Sequence, residues 1–441
     1  MLEKSLLPVA DLITRQRVMA SYRFFRESQW WPLDRLQEYQ RDRLRETLWT
    51  AYTQVPLYRD RFDQHGIQIE EISKLCDLVQ IPAITKDDLR AAYPDRCVRK
   101  TNYPAREFFT SGSSGRPFAV MVDSRSMSDA RALMLLRANF SGWRIGEPIL
   151  QTGMSLDRGV VKRTKDMLLG VQYASAFNLS DQALDHCLSL IEARRLQYVM
   201  GYPGSIFFLA KRARQLGFNN RLSGIVCWGD NLYRHYRDEM EAAFGCRVTD
   251  TYGCGEGIQV AAQCEEGAYH IFMPHVIVEV VDDTGVPVGP GTPGTILLTR
   301  LDPGAMPLIR YQVGDVGRKG EEFSCPCGRG WATLEAIEGR DTDVIITPRG
   351  NRLIVHFFTG IFEYYPSIDS FKVTQQRPGA IHVEIVPRSE FRSEHWEKIK
   401  MEIMDKGDPD LEIEMSLVND LPLEASNKRR FVVSKLLSKK E

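Results

Sequence analysis

The chain has 441 residues, of which 43% are hydrophobic, and its 57 Lys and Arg against 58 Asp and Glu give a formal net charge of −1. A chain of this length buries a large core and is expected to form more than one domain. Because the opposite charges nearly balance, no global field recruits nucleic acid or an anionic membrane, and neither is expected as a partner.

The sequence favours a cytoplasmic location. Residues 1–18 include early acidic side chains and lack an apolar run of signal-peptide length, and no later segment approaches the ~20 apolar residues that span a bilayer. The nine cysteines, an odd number scattered through a long chain, do not suggest a disulfide framework. They are expected to be thiols or metal ligands.

The first predicted elements are helices, followed by an alternation of strands and helices. Apolar residues recur on one helix face before a proline, at Leu44, Leu48, Ala51 and Val55. From about residue 104 to 300, short apolar runs such as 224–228 alternate with helical stretches such as 181–197, which favours an α/β layered core. Residues 275–301 predict two β-branched strands around turns rich in Gly and Pro.

The pattern changes after Arg340, where four strands and one helix are predicted. A segment of about 100 residues has the size of an independent domain. We therefore predict an α/β fold class with a large layered N-terminal domain (1–339) that ends in β structure, and a small, mobile α+β C-terminal domain (340–441).

A glycine- and serine-rich stretch, FFTSGSSGRPF, occupies residues 108–118. Small residues let backbone N–H groups approach an anion closely, and hydroxyl groups add donors, so the stretch could hold a polyphosphate. Its spacing is that of neither a Walker A loop nor a dinucleotide-binding turn, and a surface loop is the alternative. The candidate phosphate-binding residues are Thr110, Ser111, Gly112, Ser113, Ser114, Gly115 and Arg116.

Two carboxylates lie in turns that follow strand-like segments. Glu256 belongs to a second glycine-rich turn at 248–257, where it could be a ligand for Mg²⁺, a cation that prefers oxygen donors. Asp315 follows an apolar segment within 306–318, where its carboxylate could accept both hydroxyls of a ribose. A solvated glutamate and an aspartate that closes a turn are the alternatives.

Three cysteines and a histidine suggest a metal site. Cys264 and His270 are separated by five residues, and Cys325 and Cys327 flank a proline further along the chain. Three thiolates and an imidazole make a closed tetrahedral set of the kind that structural zinc prefers. Unliganded buried thiols are the alternative.

The order of these motifs resembles the adenylate-forming superfamily of acyl-CoA synthetases and related ligases, most closely its phenylacetate-CoA ligase branch, which includes capsule-biosynthesis and coenzyme F390 synthetase-like members. The similarity extends from VPLYRDRF at 55–62 to SNKRRFVV at 426–433, and CPCGR at 325–329 is typical of the branch. The resemblance implies that an N-terminal adenylation domain converts a carboxylic acid and Mg·ATP into an acyl-adenylate. A thiol or an amine then displaces AMP.

The resemblance also implies roles for single residues. Arg340 would support the nucleotide near a hinge, and Lys428 would bridge the acyl carboxylate and the phosphate, although a basic tail is usually solvated. Glu256 joins these two as the residues expected to act in catalysis. The residues expected to hold the nucleotide are those of 110–116 together with Tyr252, Gly253 and Asp315.

The sequence says less about which carboxylic acid is activated and which group accepts the acyl moiety. Tyr202, Trp228 and Gly229 lie in segments that resemble the acyl pocket of the family, and their aromatic character suits an aryl or small hydrophobic acid, although the same residues could be ordinary core. Coenzyme A is the expected acceptor, with a carrier-protein thiol or an amine as alternatives. An amide ligase, a non-catalytic nucleotide-binding protein and a homodimer all remain compatible with the sequence.

Overall fold

The computed structural model describes most of the chain, and these residues are 3, 7–72, 74–110, 118–153, 159–176, 179–320, 325–338, 345–353, 355–362, 364–365, 367–421 and 432–434. The chain forms two compact units. The first unit contains Met1–Phe108, Ala119–Ile145 and Thr249–Gly339, and the second contains Phe109–Phe118, Gly146–Val248 and Arg340–Glu441. Each unit therefore combines segments that are distant in sequence.

The N-terminal part of the chain is mainly helical. Its elements are α1 (Leu7–Thr14), α2 (Val18–Ser28), α3 (Leu33–Gln54), α4 (Pro56–Gln64), α5 (Lys86–Ala92), β1 (Ala105–Thr110), β2 (Phe118–Asp123) and α6 (Ser124–Asn139). Leu44, Leu48 and Ala51 are buried on one face of α3, as their spacing predicts. The strands β1 and β2 form a two-stranded sheet, and the Asp123 carboxylate caps α6 by accepting from the backbone N–H groups of Arg125 and Ser126.

The second unit begins with parallel strands and helices in alternation. Its elements are β3 (Ile149–Gly153), α7 (Val160–Leu168), β4 (Val171–Ser175), α8 (Asp181–Arg194), β5 (Tyr198–Gly201), α9 (Pro203–Gln215), β6 (Gly224–Cys227) and α10 (Arg234–Phe244). The four strands pair in the order β6-β5-β3-β4, all parallel. Buried side chains such as Val199, Ile225 and Leu209 form the core between these strands and helices.

An antiparallel sheet follows in the first unit. Its strands are β7 (Val248–Gly253), β8 (Gln259–Gln263), β9 (Tyr269–Ile271), β10 (Val276–Val281), β11 (Pro293–Arg300), β12 (Tyr311–Lys319) and β13 (Thr333–Glu338). They pair in the order β10-β11-β12-β13-β9-β8-β7. The two strands predicted within 275–301 are thus neighbours, with Val276 opposite Arg300.

The C-terminal segment of the second unit is α+β. Its elements are β14 (Ile345–Ile346), β15 (Arg352–Leu353), α11 (Val355–Phe362), β16 (Ile368–Arg377), β17 (Ala380–Pro387), α12 (Ser393–Lys406), β18 (Glu412–Leu417) and β19 (Val432–Ser434). The strands β16 to β19 pair in the order β18-β17-β16-β19, and buried Phe371, Ile399 and Ile403 join this sheet to α12.

The predicted fold class is confirmed: α/β structure with a β-rich segment in the first unit, and α+β structure at the C-terminal end. The predicted domain boundary at residue 340 and the mobility of the C-terminal domain stay predictions, since 339–344 lie outside the described residues. Within the described residues, each helix is too short or too polar to cross a bilayer.

Candidate active site

The carboxylate of Glu256 is the most deeply buried acidic group among the predicted site residues, with only 1% of the residue exposed. Its Oε1 accepts a hydrogen bond from the Tyr311 hydroxyl at 2.6 Å, and the Lys86 ammonium lies 3.5 Å from the same oxygen. The alternative of a solvated glutamate is therefore wrong. A buried carboxylate is tolerated only when it is paired and hydrogen-bonded, and this one is both.

Opposing effects set the pKa of Glu256. Burial alone would raise this pKa, but the Lys86 charge and the hydrogen bonds from the Tyr311 hydroxyl and the Cys254 thiol together hold it below its usual value. The carboxylate is consequently ionised at neutral pH. An ionised oxygen donor is what a Mg²⁺ ligand requires.

Lys86 and Tyr311 reach Glu256 from two other elements. Lys86 is the first residue of α5, which is capped by Thr85 and Asp88 in a reciprocal capping box. Tyr311 is the first residue of β12, and an isolated bridge pairs it with Ile84 just before the helix. One short segment, 84–88, therefore positions both partners of the carboxylate.

The two residues expected near the ribose lie together. The Tyr252 hydroxyl, at the end of β7, donates a hydrogen bond to Oδ2 of Asp315 at 2.9 Å. Asp315 lies in β12 opposite an irregularity between Thr295 and Leu297 of β11, and the adjacent Gly314 has a φ of 92°. A bulge of this kind re-aims the side chains beside it, and the left-handed φ favours glycine. Asp315 thus stands in a strand irregularity, and not in the turn after a strand that the sequence predicts.

The residues proposed for the acyl pocket lie in the second unit, after parallel strands. Tyr202 follows β5 and Trp228 follows β6, and the backbone N–H of Trp228 donates to the Gly201 carbonyl at 3.1 Å. Gly229 has a φ of 81°, and a Cβ there would lie 2.7 Å from a ring carbon of Tyr202. Only glycine fits this approach. Ligands of open parallel sheets bind outside the carboxyl ends of the strands, which is where these residues stand.

The remaining candidates fall on parts of the chain that are not described. Ser111, Gly112, Ser113, Ser114, Gly115, Arg116, Arg340 and Lys428 lie outside the described residues. Thr110 ends β1, and its side chain also lies outside the description. Their roles stay predictions.

The four predicted metal ligands converge. The Sγ atoms of Cys264, Cys325 and Cys327 and the ring of His270 place one ligand atom each within 4.8 Å of one another. Cys264 Sγ and Cys325 Sγ are 3.6 Å apart, and Cys327 Sγ lies 3.2 Å from His270 Nε2. Zn–S bonds of about 2.3 Å in a tetrahedron separate two sulfurs by about 3.8 Å, so the donor set fits zinc in both chemistry and spacing.

The surroundings of this cluster orient its ligands. His270 Nδ1 lies 2.8 Å from the Trp331 carbonyl, a contact in which Nδ1–H donates and Nε2 is left free to ligate. The backbone N–H of Glu266 donates to Cys264 Sγ at 3.4 Å. Arg329 and its backbone N–H lower the pKa of the Cys327 thiol, although burial opposes them. Such contacts are typical of a metal site with four protein ligands.

Comparison with known families agrees with the motif order. The AMP-binding enzyme family matches residues 57–301, and the CapK C-terminal domain family matches residues 345–435.

Several curated relatives cover most of the chain. A phenylacetate-coenzyme A ligase of Thermus thermophilus is 29% identical over 337 residues, 71% of this chain and 72% of the relative. That of Escherichia coli is 27% identical over 326 residues, 71% of this chain and 73% of the relative. The protein CapK of Staphylococcus aureus is 21% identical over 374 residues, with 82% of this chain and 81% of the relative covered.

A solved structure shares the fold. A 2-hydroxyisobutyryl-CoA ligase, in complex with 2-HIB-AMP and CoA, aligns over 93% of this chain and 92% of its own, with a TM-score of 0.62 and 20% identity. The predicted membership of the adenylate-forming superfamily, in its phenylacetate-CoA ligase and CapK branch, is thereby confirmed.

Sequence reasoning missed Lys86 and Tyr311. Tyr311 lies within 306–318, the segment in which Asp315 is the predicted ribose ligand, and the pattern assigns this tyrosine no role. Lys86 lies in an unremarkable helix start, TKDD, and nothing in that pattern indicates a distant carboxylate. Only the pairing of β12 with the segment before α5 reveals the contact.

The Lys86–Glu256 pair predicts a pH-dependent loss of stability. Lys86→Met should lower the free energy of unfolding by about 3–5 kcal/mol at pH 7.5, because it leaves a buried carboxylate without its cation. The loss should be smaller at pH 5. In the parent, the depressed pKa of Glu256 stabilises the fold above its unfolded pKa, and this contribution disappears as the pH falls through the folded pKa. In the variant, burial raises the folded-state pKa of Glu256. The carboxyl therefore takes up a proton in acid, and burying it then costs less stability.

Urea denaturation at both pH values measures this difference. The exposed Lys100 offers a matched control, and Lys100→Met should leave stability unchanged at either pH. A loss of the same size at pH 5 and pH 7.5 would contradict an electrostatic role for Lys86.

Proposed function

Because this chain belongs to the AMP-binding enzyme family, we propose that it activates a small carboxylic acid with ATP and transfers the acyl group from AMP to coenzyme A. The geometric observation that supports this function is a pair of hydrogen bonds that involve β7, β12 and the turn after β7. Tyr252 of β7 donates to Asp315 of β12, and Tyr311 of β12 donates to Glu256 in the turn, so both carboxylates are held in place by tyrosine hydroxyls.

The nucleotide would be held by Asp315, Glu256 and the glycine- and serine-rich stretch 111–116. Asp315, with one oxygen bound to Tyr252, would accept the ribose hydroxyls. Glu256 would supply an ionised oxygen to Mg²⁺, which screens the negative charge of the phosphates when it is bound. Ser111 to Arg116 would contact the phosphates through backbone N–H groups and the Arg116 guanidinium.

Lys428 and Arg340 complete the proposed machinery. In the first step the carboxylate oxygen attacks the α-phosphorus and pyrophosphate leaves, so negative charge builds up between acid and phosphate. A fixed ammonium at that position stabilises the transition state more than the ground state. We assign that task to Lys428, and to Arg340 the support of the nucleotide.

The acid is proposed to be aryl or small and hydrophobic. Trp228 is half-buried at the carboxyl end of β6, and the Gly229 backbone approaches the Tyr202 ring. Tyr202 also packs against a buried apolar cluster of the second unit, so one side of its ring is core. The relatives named as phenylacetate-coenzyme A ligases support an aromatic acid and CoA as acceptor, whereas a carrier-protein thiol, an amine and a homodimer stay predictions.

The Cys264, His270, Cys325 and Cys327 cluster is proposed to hold a structural zinc ion. Four protein ligands leave no open position for a substrate, so the ion would fasten the β8–β9 hairpin to the segment before β13 rather than take part in the reaction.

The reaction is tested by ATP–pyrophosphate exchange with a panel of aromatic and aliphatic acids, followed by addition of CoA, a carrier protein or an amine. We expect exchange with at least one aromatic acid and thioester formation with CoA. Product formation with an amine and none with CoA would replace this proposal by the amide ligase.

Asp315→Ala should raise the apparent KM for ATP, because ribose contacts persist from ground state to transition state and act as uniform binding. Glu256→Gln should mainly lower kcat.

Lys428 gives a step-specific expectation. Lys428→Ala should lower the adenylation rate by roughly 10²–10³-fold, as for other single preorganised donors, and should spare transfer to CoA from chemically prepared acyl-adenylate. Lys435→Ala, seven residues further along the same basic segment, is the matched control and should keep both rates. Equal losses in both half-reactions would contradict a role confined to adenylation.

Metal analysis tests the zinc site. Purified protein should contain about one zinc per chain, and Cys325→Ser should lose both the metal and thermal stability, because the folded state binds the ion. Cys76 is exposed, so Cys76→Ser should change neither quantity. Metal-free protein with unaltered stability would exclude the proposed ion.

A further inference from the structure

The first unit contains a cavity of about 320 Å³ that the proposed reaction does not use. Its wall comes from α2, α3, the first turns of α6 and the loops that follow β9 and β11. This volume is at the lower end of the range for small-molecule sites. Tyr252, Glu256 and Asp315 are all absent from its lining.

The carboxylates of the cavity already have partners. Asp129 is buried and accepts two hydrogen bonds from the Arg17 guanidinium, at 2.9 and 2.8 Å, and one from the Ser21 hydroxyl at 2.5 Å. Asp302 accepts from the Ser126 hydroxyl at 2.6 Å. The acceptors in this wall are therefore largely satisfied by the protein itself.

Donors, in contrast, remain available. The Nε of Arg125 is buried and has no hydrogen-bond partner among the described residues. Arg43 is 19% exposed, and one of its five N–H donors pairs with Glu46 on the same helix. Burial raises the pKa of the Tyr39 phenol, and the charges of Arg43, Asp129 and Arg17 also act on it. The lining contains three arginines and two aspartates, and Glu46, which is not part of the lining, balances the charge of Arg43.

The other side of the cavity is aromatic and aliphatic. Phe24 lies against Tyr39 with 5.5 Å between ring centroids, and Phe25 meets His275 edge to face at 6.2 Å. Burial and the nearby Arg300 charge lower the pKa of His275 to about 3, so the imidazole is neutral, and its buried Nε2 has no hydrogen-bond partner among the described residues. Leu301 completes this side.

We propose that this cavity is a second ligand site, which binds a small organic carboxylate. The anionic end would lie among the guanidinium groups of Arg43 and Arg125 and the Tyr39 hydroxyl, where donors outnumber acceptors. The apolar part would pack against Phe24, Phe25 and Leu301. A few guanidinium donors beside one ring-lined wall fit an amphipathic monoanion better than a phosphate, which carries more charge and has no apolar part.

The test is calorimetric titration of the full-length protein, without ATP, with benzoate, acetate and inorganic phosphate. Benzoate should bind with saturation, and acetate more weakly because it lacks the ring. Arg43→Met should weaken benzoate binding roughly tenfold or more, as expected for a lost charge-assisted hydrogen bond. Tyr39→Phe, which removes only a hydroxyl, should weaken it less.

Arg45→Met is the matched control, since Arg45 is an exposed residue of the same helix. It should bind benzoate like the parent. If benzoate binds all three variants equally, it occupies another site, such as the candidate active site. That result would overturn the second ligand site but would not contradict the proposed function. Saturation by phosphate alone overturns the carboxylate assignment, and no saturation by any probe overturns the site. If Arg43→Met does not fold, the conservative Tyr39→Phe variant decides between these outcomes.

Discussion

The need to neutralise one buried carboxylate governs how the first unit is assembled. Glu256 is almost completely buried, and an unpaired charge in that position would cost several kcal/mol. Lys86 and Tyr311 satisfy it from opposite parts of the sequence. The turn after β7, the start of β12 and the start of α5 must therefore meet at one point, and any fold that separates them leaves a buried ion without a partner.

The same strand that neutralises Glu256 also presents Asp315. Tyr311 opens β12, and Asp315 lies a few residues later, beside the bulge at Gly314. Regular strand geometry alternates side chains between two faces, whereas a bulge breaks this alternation and changes where a side chain points. The candidate nucleotide site is thus built on an irregularity of the sheet, where the Tyr252 hydroxyl holds the Asp315 carboxylate by a hydrogen bond.

The Cys and His cluster lies at interior strands of the same sheet. Its side chains come from the β8–β9 hairpin and from the segment before β13, and β13 pairs directly with β9. This pairing of β9 with β13, in which His270 lies opposite Thr333, brings the two segments together. A metal would therefore add to an existing strand pairing, consistent with a structural rather than a catalytic role.

The sequence by itself determined the features that depend on neighbouring residues. Leu44, Leu48 and Ala51 lie on one buried face of α3, the two strands within 275–301 pair as neighbours, and the order of the glycine-rich and carboxylate motifs identifies the family. Spacings of 3.6 and 2 residues and turn chemistry are local, so they can be read directly. The four candidate metal ligands were predicted in the same way, because residue type limits the choice of metal. Only the tertiary structure decided which distant elements meet: Lys86 and Tyr311 around Glu256, and the helices that surround the cavity near Arg43. These contacts depend on strand pairing and helix packing between segments that are tens to hundreds of residues apart, and no local pattern in the chain encodes them.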